Sequence, residues 1–155
     1  MAFEKVMNFI AGAVDIAPPA DVTTYTLDGA VAGVAGRVYE FDADGELVLS
    51  TTTNVDSAVI ALEDADAGGS IRCSWIAPGA IYKVPVTDAD GTSPMAAALS
   101  ATLVVGARAQ INALANGMDG ENVHAAGNPL TIVRIDRTNE VAWVVFNTCV
   151  LNLNT

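Results

Sequence analysis

The tetrapeptide Asp-Ala-Asp-Gly stands at Asp42–Gly45 and again at Asp88–Gly91, and a near-copy, Asp-Ala-Asp-Ala-Gly-Gly, fills Asp64–Gly69. Aspartate bonds to the backbone two residues on and glycine accepts positive φ, so each fragment is suited to a tight turn. The first lies between RVYEF (37–41) and ELVLST (46–51), two β-prone runs on either side of an Asp-Gly corner, which is a strong hairpin signal. The leading aspartates are separated by 64 − 42 = 22 and 88 − 64 = 24 residues, the length of two short strands and their turns. This recurrence predicts corners gathered at one end of a β-domain as an acidic rim.

The rest of the chain reads in the same way. TTYTL (23–27), SAVIAL (57–62), SIRCSWIA (70–77), AIYKVPV (80–86), TLVVGARAQINAL (102–114), LTIVRID (130–136) and EVAWVVF (140–146) are strand candidates, the 102–114 run with a central turn, and CVLNLNT (149–155) is a terminal strand or arm. In SIRCSWIA, alternation places Ile71, Cys73 and Trp75 on one face and Arg72 and Ser74 on the other. In EVAWVVF both faces are apolar: one suits the core, the other a helix, an arm or a second subunit. Trp75 and Trp143 are both expected in the core. GAVAGVAG (29–36) is a small-residue segment able to lie against another backbone, and 115–129 reads as a long polar loop. Ser93-Pro94 resembles an N-cap followed by a first-turn proline, predicting a short helix through Ser100. Phe3, Val6, Met7, Ile10 and Val14 follow helical spacing, which Gly12 weakens and Pro18-Pro19 ends. The expected fold is all-β: a single small β-barrel or sandwich with a short helical insert and an extended N-terminal arm. Residues 1–20 form the arm or short amphipathic helix, and 21–155 form the β-domain.

The 155 residues include 18 Asp and Glu against 7 scattered Lys and Arg, a formal net charge of -11. Binding to nucleic-acid phosphates relies on clustered cations, so no nucleic-acid partner is expected. Hydrophobic residues make up 52% and charged ones only 16%, an apolar balance that predicts surface covered by another chain, as in a homo-oligomer. No apolar run reaches the ~18 residues of a membrane-spanning helix, so no membrane partner is expected either. At the N-terminus Glu4 offsets Lys5, while Asn8 and Asp15 interrupt the apolar stretch, so it reads as mature sequence rather than as a signal peptide.

Motifs for chemistry are incomplete. A calcium loop begun at Glu40 has Asp42, Asp44 and Gly45 in register but Thr51 where the closing Glu belongs. Begun at Asp64 or Asp88, the closing position falls on Trp75 or Leu99. His124 is the single histidine, and with Glu121 it forms one E-x-x-H pair where a di-iron bundle needs two. GGSIR at Gly68–Arg72 lacks the last glycine of a nucleophile elbow, and GAVAGVAG is followed by no Gly-Lys-Ser/Thr. Cys73 and Cys149 form no C-x-x-C pair, and whether they bridge is left open. No catalytic residue, cofactor or metal is expected, and the chain does not read as an enzyme.

VIALEDADAGGSIRCSWIAPGAIYKVPV (59–86), LVVGARAQI (103–111) and PLTIVRIDRTNEVAWVVFN (129–147) resemble the capsid decoration, or cement, proteins of tailed bacteriophages. The resemblance covers roughly the last hundred residues and lies in strand alternation and turns. It implies a structural virion protein on the outer surface of the capsid, assembled in the host cytoplasm. Its partners would be the major capsid protein and further copies of itself, with a trimer favoured. Phe3, Val6, Met7, Phe9 and Ile10 of the arm, with Val144 and Phe146, are the expected interface residues. A head-fibre base or glycan-binding virion module and a tail or connector component are the alternatives.

Overall fold

The computed structural model describes residues 3–8, 22–50, 53, 58–76, 79–94, 101–121 and 127–147. These form eleven strands in two sheets, with no helix among the described residues. The smaller sheet holds β2 (Val22–Thr26), β3 (Val38–Phe41), β4 (Leu47–Leu49), β5 (Ala58–Ala61) and β6 (Ser70–Trp75) in the order β2-β6-β5-β3-β4. The sheet curls until Leu27, just past β2, bridges Leu47 at the start of β4. The Asp28 N–H donates to the Leu47 carbonyl at 3.0 Å, nearly closing a five-stranded barrel.

Strand alternation fills that barrel. Leu27, Tyr39, Leu47, Val59, Ala61, Ile71 and Cys73 are buried together inside it. Tyr25, Phe41 and Trp75 are half-buried against this cluster, Phe41 stacked on Trp75 at 5.5 Å and the Trp75 indole donating to the Tyr25 hydroxyl at 2.7 Å. Ile71, Cys73 and Trp75 therefore share a face as their spacing predicts. The small-residue segment also meets its expectation: Gly33 and Ala65 exchange backbone bonds of 2.9 and 3.1 Å. A Cβ on Gly33 would collide with the Ile71 side chain and press on Leu27.

The larger sheet holds β1 (Glu4–Asn8), β7 (Ala80–Thr87), β8 (Arg108–Ala109), β10 (Leu130–Asp136) and β11 (Val141–Phe146) in the order β1-β7-β11-β10-β8. β9 (Met118–Asp119) runs parallel beside the end of β7. Pro85 sits inside β7 without breaking it. The Val86 N–H donates toward β11, so residue 85 faces the other side, where β1 has ended at Lys83 and β9 begins at Val86. A residue with no N–H is tolerated there because no ladder bond requires one.

The two sheets share a core. Val38, Ala58 and Ile60 leave the outside of the barrel and pack with Tyr82, Val84, Ile132, Ala142, Val144 and Phe146 of the larger sheet. β5 is consequently buried on both faces, which explains the unbroken run Ala-Val-Ile-Ala.

Three expectations are corrected. Glu4–Asn8 is a strand paired antiparallel with β7, not part of a helix, because the open edge of β7 satisfies its backbone and Phe3 anchors it. Phe3 is buried, its ring 5.5 Å from Phe146, and its N–H donates to Gly36. In the 102–114 run the only strand is β8, with turns on either side. The 115–129 loop carries β9, whose Met118 and Asp119 are buried by pairing with β7. Met95–Ser100, the body of the predicted helix, lies outside the described residues, as do Phe9 and Ile10.

Candidate functional site

β10 and β11 form the hairpin their sequences predict, and their alternation gives the larger sheet two unlike faces. Ala142, Val144 and Phe146 point into the core, while Val141, Trp143 and Val145 are half-exposed on the outside. Register aligns Trp143 with Lys83 of β7 and with Arg134 of β10, and Val145 with Thr131. The Arg134 guanidinium lies 4.3 Å from the Trp143 ring centroid, a cation–π contact at the middle of this face. Trp143 is thus not a core residue, contrary to expectation. The β-bulge between Ile132 and Arg134 interrupts alternation there and leaves Val133 exposed.

The apolar surface continues past the sheet edge. Gly106 donates to the Ile132 carbonyl at 2.7 Å, bringing the preceding Val104 and Val105 beside Val133. Val104 and Val105 are 51% and 62% exposed, and the Leu103 carbonyl beneath them is held by Arg137 at 2.6 Å. A face of Val104, Val105, Val133, Trp143 and Val145, dotted with Lys83 and Arg134, is unusual on a chain of net charge -11. Such a surface can bury apolar area against a protein partner while its cations meet carboxylates.

The acidic fragments are turns. Asp42 Oδ1 accepts from the N–H groups of Asp44 and Glu46, both at 2.9 Å, and Gly45 has φ 82°. Asp88 Oδ1 accepts from Thr92 and Ser93, and Gly91 has φ 79°. These bonds, the one from Ser93 foremost, hold the Asp88 carboxyl below its usual range. In the middle fragment Asp64 Oδ1 accepts from Ala35, and Gly69 donates to Asp66. The first turn leaves the end of β3 that lies beside the start of β5, whereas the second follows the end of β5 and meets the loop before β3 at Gly33 and Ala35, so the two stand at opposite ends of that ladder. The third belongs to the larger sheet, where Ala89 contacts Glu121 and Ala113. The expected acidic rim is therefore not formed, because the antiparallel pairing of β3 with β5 sends the first two corners opposite ways and the third belongs to the other sheet.

Barrel closure adds carboxylates that a reading in sequence register misses. Asp28, Asp42 and Glu46 each offer an oxygen, all within 4.8 Å of one another. Asp28 lies 14 positions before Asp42 and belongs to no calcium-loop frame, so only the Leu27–Leu47 bridge reveals the grouping. One oxygen of Asp42 and one of Asp28 are already engaged by backbone N–H groups. Elsewhere, Glu63 pairs with Arg72 at 2.9 Å on the exposed outside of the barrel.

The expected interface residues divide. Phe3, Val144 and Phe146 are buried in the main core, where their apolar surface is satisfied within the chain. Val6 and Met7 belong to β1, with the β1 bulge between Lys5 and Met7. The outward residues of the same hairpin, Trp143 and Val145, carry the free surface instead. Alternation identified both faces of β11 but could not say which one turns inward. Cys73 is a free thiol inside the barrel, and burial pushes its pKa up to about 11, which leaves it unreactive. Cys149 and His124 lie outside the described residues.

No protein-family model matches the chain, and no curated protein matches it in sequence.

Proposed function

We propose that this protein is a structural virion component that binds the outer surface of a tailed-phage capsid and stabilises the mature shell, acting as a homo-oligomer, with a trimer favoured. The observation that carries this reading is the outer face of the larger sheet, where Trp143, Val145 and Val133 stand beside exposed Val104 and Val105 on an otherwise acidic protein. A face of this kind suits a permanent protein contact, and symmetric repetition on a shell multiplies a modest contact through avidity. The fold and the resemblance of residues 59–147 to cement proteins agree with it.

Charge is divided in the same sense. Residues 22–75 carry nine acids against two bases, whereas 80–147 carry six against four. The larger sheet would thus meet the partner while the barrel faces solvent and keeps the particle dispersed. The test is co-sedimentation of purified protein with mature and immature shells that lack it. Saturable binding to mature shells, weakened by Trp143→Glu, is the expected result. Absence of binding to both shells would sink the proposal.

A further inference from the structure

The edge of β2 differs from every other described strand edge. β1 carries Glu4, Lys5 and a bulge; β4 has three residues; β8 and β9 have two each. Charge, bulges and shortness are the devices that keep sheet edges from pairing with foreign strands. β2, Val22-Thr-Thr-Tyr-Thr26, is five residues long, uncharged, free of proline and continuous in register with β6.

The direction of its backbone groups follows from one bond. Leu27 donates to Gly69 at 2.9 Å, so the antiparallel alternation turns Thr23 and Tyr25 toward β6. Val22, Thr24 and Thr26 therefore turn their N–H and C=O groups away from the sheet. Asp28, next in the same parity, confirms the direction because its N–H reaches across to Leu47. Beyond that single closure the edge has no strand beside it among the described residues, and Thr24 and Thr26 are exposed.

We propose that β2 accepts an added strand from another protein: an extended segment, uncharged beside Thr24 and carrying Lys or Arg where it passes Asp28, Asp42 and Glu46. The backbone edge supplies the hydrogen bonds, and charge complementarity selects the occupant. The segments of this chain outside the described residues contain no Lys or Arg, so none of them supplies such a basic strand from a second copy. This deepens the capsid reading and rests on it for the source of the strand, a basic extended segment of the shell subunit.

Two measurements separate the ideas. In the first, hydrogen exchange is recorded for free protein and for protein with a synthetic peptide of alternating Val and Thr ending in two Lys, at millimolar concentration. The same peptide ending in two Glu serves as the control. Amides of Thr24 and Thr26 slowed about tenfold by the Lys peptide alone are expected; unchanged exchange with both, or equal slowing by both, overturns the inference whatever the shells do. In the second, Thr24→Pro removes an outward N–H that no β6 bond uses, so the fold is retained, and affinity for mature shells falls about tenfold. Wild-type affinity in this variant, or unchanged Thr24 and Thr26 exchange in shell-bound wild type, overturns strand addition while leaving shell binding intact. Failure of the wild type to bind shells, with the Lys peptide still protecting β2, removes the capsid reading and keeps the edge as a strand acceptor.

Discussion

Tyr39 is the residue that ties the barrel to its covering loop. It is fully buried, its hydroxyl donating to the Ala32 carbonyl at 3.0 Å and accepting from the Val34 N–H at 2.9 Å. Burial pushes its pKa up despite the Val34 bond, so the phenol stays neutral and keeps its donor. Tyr39→Phe should leave a carbonyl and an N–H beneath the loop unsatisfied and cost about 1–3 kcal/mol, measured by urea denaturation. An unchanged midpoint would show that water replaces both bonds. The sequence reads Tyr39 only as an alternating strand residue; its partners, five and seven positions earlier, depend on how GAVAGVAG folds back.

Among the elements, β1 shows how one anchor residue holds a strand. Its first buried contact is Phe3 against Phe146, and its backbone lies along the odd-numbered side of β7. Phe3→Ala should therefore cost about 3 kcal/mol and speed hydrogen exchange at Ile81 and Lys83, while the amides of Tyr82 and Val84, which face β11, respond less. Equal acceleration on both sides of β7 would mean that β1 and the β10–β11 hairpin unfold as one unit. The two hairpins, β3–β4 and β10–β11, were legible from their turns because loop chemistry and alternation act over a few residues. β1 was not, since its apolar residues satisfy a helical period almost as well as a strand, and only the open edge of β7 selects the extended form. β8 and β9, two residues each, are too short to leave any period in the sequence.

Across the whole molecule, the acid limb of stability is set by exposed carboxylates that accept hydrogen bonds in the fold. Asp136 is held below its ordinary 3.8 chiefly by the Asn139 side chain, Asp88 below 3.8 chiefly by the Ser93 N–H, and Glu63 below 4.5 chiefly by Arg72. A depressed folded-state pKa means that the contribution is complete above the unfolded value and lost as pH falls through the folded one. The melting temperature should therefore hold from neutral pH down to about pH 5 and fall below about pH 4. Relief of net negative repulsion near the pI of 4.1 opposes the first part of that fall. Asp136→Asn should flatten the acid limb, and a variant with the wild-type slope would remove Asp136 from this account.

Local chemistry settled that this chain is built of short strands with acidic corners, because Asp-Gly turns and two-residue alternation are properties of neighbouring residues. Which face of each strand turns inward was decided in three dimensions. Val144 and Phe146 are as apolar as Val145 and Trp143, and only the approach of the barrel wall at Val38, Ala58 and Ile60 distinguishes them. The same holds for charge. Asp28, Asp42 and Glu46 converge, and among the described residues the edge of β2 has no strand beside it, because the five-stranded sheet closes there at the bridge between Leu27 and Leu47. Closure joins residues twenty positions apart, a distance at which neither turn chemistry nor periodicity carries a signal.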